Sequence, residues 1–270
     1  VLNPFLKRGK IGQAEHIYVL LRTIFNAAIK KDEILKNPVL AIEKPKPPKR
    51  EDSTLDPEQW QMIREYLIKK ESNFLVPFTL KITTGMRRAE ISGLKWKDID
   101  FDMGLIKVRR NFHVVKKNLF YSDLKTERSR RSISIDPNTV QMLKDHFDYM
   151  KQYFSEFGEK LNSESPVFTI DLINPLRPDS LTQGWIRLRN RLGLPNVRLH
   201  DLRHTSASLM LYAGIPVGDV SDRLGHSQEG FTLNQYRHAV KGSQERSAMI
   251  LAKILEPNAN RTLKYESKKS

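Results

Sequence analysis

Apolar residues recur at helical spacing near the start of the chain. They lie three and four positions apart, at Ile17, Leu20, Leu21, Ile24, Phe25 and Ala28. This spacing places them on one face and predicts an amphipathic helix that ends near Asn37-Pro38.

Capping residues predict most of the later helices. Asp56-Pro57 supplies an N-cap and a proline at the first helical position, and Trp60, Ile63 and Leu67 follow as a buried stripe. Further helices are predicted to begin at Asp136-Pro137, at Asp179, near His200 and at Pro216. Glycine favours the left-handed backbone that ends a helix, so Gly214 and Gly225 are predicted to end the last two.

Strand patterns are confined to the segment between about Leu105 and Ile135. Residues 105–108 and 132–135 alternate in polarity or are β-branched, which is enough for one small antiparallel sheet. The predicted fold class is therefore mainly α with a small antiparallel β-sheet, an α+β fold.

Proline and lysine divide the chain into domains. Residues 44–52 have the composition of an extended basic linker, with an ordinary surface loop as the alternative. Residues 1–43 are too few for an independent core, so we expect them to be part of a small helical domain. Residues 53–255 form the main domain, and residues 256–270 are a polar tail expected to be mobile. Because the first residue is Val1 rather than Met, we expect the sequence to be part of a longer chain.

The charge balance predicts the class of partner. The chain has 46 Lys and Arg against 31 Asp and Glu, a net charge of +15, which favours a polyanion. Cysteine is absent, which excludes disulfides, thiolate metal sites and cysteine nucleophiles and fits a reducing compartment. No apolar run approaches the roughly 20 residues that a membrane span needs. We therefore expect a soluble cytoplasmic protein with no membrane partner.

Two histidines and an arginine share one face of a predicted helix. His200, Arg203 and His204 lie three and four positions apart. Histidines at this spacing can bind zinc, but a guanidinium beside a divalent cation is repulsive, and the carboxylate of Asp201 points elsewhere on the helix. A face of arginine and histidine is better suited to an anion such as phosphate. The alternative is a capping histidine and a surface arginine that meet by chance.

A second candidate site begins at Gly85. Glycine permits a sharp turn, and Arg87 then stands at a helix start, where anions are attracted. Glu90 could orient Arg87 through a buried ion pair. A basic first turn is common, so this motif alone is weak.

Tyr236 and Lys125 complete the candidate set. Tyr236 follows His226 by ten residues, across a polar segment. Most tyrosines are packing residues, and one that acts as a nucleophile needs neighbouring groups that remove its proton, because its free pKa is about 10. Lys125 precedes the last strand and is predicted to lie in a hairpin turn, although a solvated run of charge is the default there.

The order of these motifs resembles the tyrosine recombinase family, the phage-type integrases. The resemblance covers about Asp52 to Ala252 and rests on four segments: residues 84–90, residues 124–126 with 132–135, residues 200–205, and residues 224–227 through Tyr236. Ala89 departs from the pattern because the family often has glycine there, and residues 227–232 are atypical before the tyrosine. Neither departure touches a catalytic position.

The resemblance implies a fold and an activity. It implies a tyrosine recombinase catalytic domain preceded by part of a helical core-binding domain. The implied enzyme is a site-specific recombinase that integrates and excises a mobile genetic element through a 3′-phosphotyrosyl intermediate, with no cofactor, metal or ATP. The implied catalytic residues are Arg87, Lys125, His200, Arg203, His226 and the nucleophile Tyr236, with Glu90 in support.

The resemblance and the charge together imply partners. These are double-stranded DNA at attachment sites, three further copies of the chain with the helix near residues 248–255 packed into a neighbour, and an accessory directionality factor. The expected phosphate contacts are Lys44, Lys46, Lys49, Arg50, Arg88, Arg109, Arg110, Lys116, Lys117, Arg128, Arg130 and Arg131, with Arg187, Arg189 and Arg191 as further candidates.

Three other functions are compatible with parts of this pattern. A non-catalytic DNA-binding protein is disfavoured because all six catalytic positions hold the expected residue types. A type IB topoisomerase shares the tyrosine chemistry but relaxes DNA as a monomer. A metal-dependent nuclease would lose its activity in chelator.

Overall fold

The computed structural model describes residues 2–48, 53–116, 118–124, 129–194, 197–225, 230 and 251–252. The chain divides into two compact units, Val1–Glu51 and Asp52–Ser270. Within the described ranges, no helix is both long enough and apolar enough to cross a membrane.

The first unit is built on one long helix. Helix α1 spans Asn3–Lys7, α2 spans Ile11–Lys30, and a 3₁₀ turn follows at Pro38–Ala41. Its small core consists of Leu2, Tyr18 and Val39, with Ile17, Leu21 and Phe25 packed against them.

The structure differs from the prediction for α2 in two respects. The helix ends at Lys30 rather than near Asn37, because Asp32 adopts a left-handed backbone with φ of 57° and interrupts the helix. Leu20 and Ile24 belong to the predicted apolar face but are 59% and 52% exposed, since the core of this unit lies against the face that carries Tyr18.

Seven helices and a 3₁₀ turn are described in the second unit. The helices are α3 Pro57–Lys69, α4 Leu75–Thr84, α5 Arg88–Ser92, α6 Pro137–Glu156, α7 Pro178–Arg191, α8 Asp201–Tyr212 and α9 Val217–Leu224. The 3₁₀ turn is Trp96–Asp98. The predicted cap of α3 is confirmed, because Asp56 accepts a hydrogen bond of 2.7 Å from the amide of Gln59.

The predicted small antiparallel sheet is confirmed, and the described strands form a second sheet that was not predicted. Strands β1 Ile99–Asp100, β2 Leu105–Val108 and β5 Arg131–Ser134 form an antiparallel sheet in the order β1-β2-β5. Strands β3 Arg110–Val115 and β4 Asn118–Asp123 form a separate hairpin. The prediction missed the hairpin because the side chains of β4 are nearly all exposed, which removes the alternation of buried and exposed positions.

Lys125, which was predicted to lie in a hairpin turn, is outside the described residues.

Helix α4 is the centre of the second unit. Phe78 and Leu80 are fully buried, and α4 packs against α3, α5, α6 and α8. The ring of Phe78 meets that of Trp185 edge-on at 5.3 Å, and the Trp185 Nε1 donates a hydrogen bond of 2.9 Å to the Val197 carbonyl. The end of α4 is therefore held firmly, and the turn that follows it starts from a fixed point.

Candidate active site

A glycine turn follows α4 and presents Arg87. Gly85 ends the helix with φ of 67°, and its amide donates to the Lys81 carbonyl at 3.0 Å. A Cβ on Gly85 would lie 2.3 Å from Cδ2 of the buried Leu224, so both the backbone conformation and the space require glycine. Arg87 then occupies the N-cap position of α5.

The carboxylate of Glu90 is shared by two arginines. It accepts hydrogen bonds from the Arg87 amide at 2.8 Å and from the Arg87 Nη1 at 2.9 Å. Arg131 binds the same carboxylate through Nη2 at 3.0 Å and Nη1 at 3.2 Å. The ion pair between Glu90 and Arg87 agrees with the sequence analysis. The partnership with Arg131 was missed, because 41 residues separate the two along the chain.

The environment of Glu90 keeps it ionised. Burial alone would raise the pKa of its carboxyl group, but the charge and hydrogen bond of Arg131 and those of Arg87 outweigh burial and lower the pKa to about 2. A fixed carboxylate orients both guanidinium groups before any ligand arrives.

Arg203 lies beneath the glycine turn. It is on α8 and is only 2% exposed. Its Nη1 donates to the Gly85 carbonyl at 2.7 Å, and its Nη2 donates to the Leu224 carbonyl at 2.6 Å. Arg203 therefore joins the turn that carries Arg87 to the end of α9.

Three arginines hold three consecutive carbonyls at the C-terminus of α9. Arg131 donates to the Arg223 carbonyl at 2.7 Å, Arg203 to that of Leu224 at 2.6 Å, and Arg87 to that of Gly225 at 3.2 Å. Helix C-termini carry unpaired carbonyls and partial negative charge, so cations stabilise them. Gly225 ends α9 with φ of 68°, as predicted.

Arg223 ties the same helix to its neighbours. Its Nη1 donates to the Ser134 carbonyl of β5 and its Nη2 to the Thr83 carbonyl of α4, each at 3.0 Å. The end of α9, the end of α4 and the last strand are thus held together around Arg203.

His200 lies at the N-terminus of α8, beside His204. The two rings meet edge-on, with their centroids 5.0 Å apart. Part of His200 is exposed, but packing around it removes water and, with the charges of Lys81, His204 and Arg203, lowers its pKa to about 4. The imidazole is therefore neutral near pH 7 and can accept a proton. Asp201 points away, as predicted, and binds Arg198 at 2.7 Å.

Of the six predicted catalytic residues, the structure describes three. Arg87, His200 and Arg203 lie around the junction of α4, α5 and α8, and Gly225 brings the chain to Arg87 directly before His226. Lys125, His226 and Tyr236 lie outside the described residues. In the described part of the chain, no group of three His, Asp or Glu side chains is placed to hold a metal ion.

Two of the arginines that were expected to contact phosphate are paired with protein carboxylates. Arg110 binds Asp98 at 2.5 and 3.1 Å, and its side chain is 14% exposed. The Arg131 side chain, bound to Glu90, is 6% exposed. Both arginines also line the open cleft described next, so their contact with DNA phosphate stays a prediction.

Other members of the basic set remain at the surface. Arg109 and Arg130 each have side chains that are 60% exposed, and with Lys107 and Asp123 they line an open cleft of about 580 Å³. Lys46 and Lys116 are at least partly exposed. Lys44 pairs with Glu15 at 2.7 Å, and Arg88 pairs with Asp179 at 3.2 Å.

The three arginines of α7 differ in their surroundings. Arg187 is exposed, Arg189 donates to the Val197 carbonyl, and Arg191 donates to the Tyr66 hydroxyl. Lys49, Arg50, Lys117 and Arg128 lie outside the described residues.

The sequence is similar to known recombinases. Residues 52–242 match the profile of the phage integrase family. A tyrosine recombinase XerC-like protein of Caldanaerobacter subterraneus is 32% identical over 257 residues, covering 88% of this chain and 65% of that protein. The chain therefore spans less than two thirds of the length of this relative.

The fold is similar to that of integrases solved with DNA. The Tn1549 transposon integrase in complex with a circular intermediate DNA superposes with a TM-score of 0.78 at 20% identity, covering 93% of this chain and 83% of that one. A lambda integrase tetramer bound to a Holliday junction superposes with a TM-score of 0.59 at 20% identity, covering 84% and 62%.

Proposed function

Because the chain belongs to the phage integrase family, we propose that it is a tyrosine site-specific recombinase that integrates and excises a mobile genetic element. The observation that carries this proposal is the placement of Arg87 and Arg203. Both arginines lie at the glycine turn and bind the end of α9, and His200 stands at the start of the helix that carries Arg203.

The proposed reaction is an in-line transfer at a DNA phosphate. The Tyr236 hydroxyl gives its proton to His200, its oxygen bonds to phosphorus, and the bond from phosphorus to the 5′-oxygen breaks. Lys125 gives a proton to the departing 5′-oxygen, and His226 donates a hydrogen bond to the phosphate. The bond energy is kept in the protein–DNA linkage. Reversal of these steps with another 5′-hydroxyl can therefore rejoin the strand.

The arginines stabilise the charge that develops on the phosphate. Arginine stays charged at all relevant pH values and can bind two oxygens at once. A well-placed arginine contributes roughly 10³–10⁵ in the rate of phosphoryl transfer. The Glu90 carboxylate, which binds Arg87 at 2.9 Å, lowers the cost of orienting this side chain when the phosphate binds.

The proposed assembly is four copies of the chain on two double-stranded DNA sites. The lambda integrase tetramer on a Holliday junction supports this stoichiometry. Residues 1–43 are the proposed C-terminal part of a helical core-binding domain, 44–52 the linker, 53–255 the catalytic domain and 256–270 the tail. The proposed place of action is the bacterial nucleoid, with an accessory directionality factor.

A strand-exchange assay tests the function. Two differently labelled duplexes, each carrying the DNA that spans one end of the encoding element, are incubated with the full-length chain. Recombinant duplexes that carry both labels are the expected product. Relaxation of a supercoiled circle without exchange would instead indicate a type IB topoisomerase.

A further inference from the structure

A lysine lies buried beneath the glycine turn. Lys81 is in the last turn of α4, and it is only 1% exposed. Fully buried lysines are rare because the ammonium group loses its hydration. The Lys81 Nζ donates a hydrogen bond of 2.9 Å to the carbonyl of Met86, the residue directly before Arg87. The chemistry proposed above assigns no step to this side chain.

Two cations hold two consecutive carbonyls of the turn. The Gly85 carbonyl accepts from Arg203 at 2.7 Å, and the next carbonyl, that of Met86, accepts from Lys81 at 2.9 Å. The Met86 side chain is fully buried, so its carbonyl depends on a partner from the protein. Lys81 and Arg203 thus hold the backbone of the turn, while Glu90 holds the amide and the guanidinium of Arg87.

Lys81 also acts electrostatically on α8. The charged and titratable groups that face it are Arg87, Arg88 and Glu90 on α5, and His200 and Arg203 on α8. Burial, followed by the charge of Arg203, lowers the Lys81 pKa to about 7. Lys81 is therefore charged at acidic pH, where, after burial, its charge is the largest influence that lowers the pKa of His200.

We propose that Lys81 is a positioning residue of this site, which fixes the turn that presents Arg87 and whose charge acts on His200. The inference rests on the proposed function, in which Arg87 binds the phosphate and His200 accepts the tyrosine proton. Lys81 touches neither the phosphate nor the tyrosine in this account and acts through its two neighbours.

The test compares Lys81→Met with Lys144→Met in the full-length chain. Methionine nearly matches the lysine stem but removes the donor and the charge, and Lys144 is an exposed lysine of α6. Three quantities are measured: affinity for a nicked half-site duplex, the single-turnover rate of covalent complex formation at saturating protein, and the His200 titration by NMR. The His200 resonance is assigned by its loss in His200→Gln.

The expected result for Lys81→Met is specific. The half-site affinity stays within about twofold of the control, the rate falls about tenfold or more because the turn is misplaced, and the His200 pKa rises because a nearby charge is gone. A rate equal to that of Lys144→Met would overturn the proposal. A lower rate with an unchanged His200 titration would also overturn it, because a purely structural role predicts that result.

A second variant covers the case in which Lys81→Met does not fold. Lys81→Gln removes the charge but keeps a shorter, neutral side chain that can still donate towards the Met86 carbonyl, so it is expected to fold and still to raise the His200 pKa. An unchanged pKa in this variant would overturn the proposal. If the wild type forms no covalent complex, the proposed function fails, but the His200 titration still tests Lys81 independently.

Discussion

Arg131 and Glu90 form a bidentate ion pair, with N–O distances of 3.0 and 3.2 Å. This pair joins β5 to α5, and the same carboxylate holds Arg87. One buried carboxylate therefore holds both strand β5 and the side chain of Arg87. Stability of the fold and geometry of the site therefore depend on the same group.

Acid should weaken the fold through Glu90. Its folded-state pKa is lowered from 4.5 to about 2, so the ionised carboxylate stabilises the fold above pH 4.5, and this contribution is lost as the pH falls from 4.5 through about 2. A shift of this size corresponds to roughly 3 kcal/mol. Urea unfolding at pH 6 and pH 3 should show a larger loss of unfolding free energy for the wild type than for Glu90→Gln.

The control for this comparison is Glu159→Gln, which changes an exposed carboxylate. It should keep the pH dependence of the wild type. An identical pH dependence in Glu90→Gln and the wild type would contradict the role assigned to the buried carboxylate.

Gly85→Ala should disrupt the turn that presents Arg87. The new Cβ would lie 2.3 Å from Leu224 Cδ2, and the backbone has φ of 67°. The left-handed backbone alone costs an alanine roughly 1 kcal/mol, and the clash adds to that cost. We expect a lower melting temperature and a loss of covalent complex formation.

Gly158→Ala is the matched control for this substitution. Gly158 has φ of 73°, and nothing lies within 4 Å of its added Cβ. Gly158→Ala should be destabilised only by the left-handed backbone and should still form the covalent complex. If the two alanine variants behaved alike, the close approach of Leu224 to the turn would have no functional weight.

Arg87 and Arg203 should differ in their effect on stability. Both alanine variants should lower the cleavage rate by roughly 10³ or more while binding is partly kept. Arg203→Ala should also lower the free energy of unfolding by roughly 3 kcal/mol, because hydrogen bonds from a charged group to the buried Gly85 and Leu224 carbonyls are lost. Arg87 has a side chain that is 38% exposed, so Arg87→Ala should destabilise less. Normal cleavage by either variant would exclude its proposed role.

Exposed arginines and arginines paired with carboxylates should differ in how their substitution changes the salt dependence of DNA binding. If the chain contacts six to ten phosphates, its affinity for duplex DNA should fall roughly 10³–10⁵-fold between 50 and 200 mM salt. Arg109→Ala and Arg130→Ala remove exposed cations and should each flatten the slope of log affinity against log salt. Arg110→Ala breaks the pair with Asp98 and should lower the melting temperature instead. If Arg110→Ala instead flattened the slope of log affinity against log salt at unchanged stability, Arg110 would be a DNA contact.

Local chemistry explains which features the sequence could predict. The Asp56 cap, the turn at Gly85 and the end of α9 at Gly225 depend on residues within a few positions, so a single sequence carries them. Arg131 and Lys81 differ in this respect. In sequence, Arg131 is one of several arginines in a basic loop, and its carboxylate partner lies 41 residues away.

The sequence does show one unusual feature at Lys81, because this lysine interrupts the apolar run that leads to Gly85. Helical spacing cannot tell whether such a lysine reaches solvent or a buried carbonyl. The hairpin of β3 and β4 was missed because β4 has no buried position, and cross-strand pairs such as Phe112 and Tyr121 join the two strands instead.

The account depends most on Tyr236 as the nucleophile. The full-length chain is incubated in EDTA with nicked duplex DNA that spans one end of the encoding element, beside Tyr236→Phe, and the products are separated on a denaturing gel. We predict a covalent protein–DNA band for the wild type and none for Tyr236→Phe. A wild-type chain that binds this DNA tightly but forms no such band would contradict the account and favour a non-catalytic DNA-binding protein.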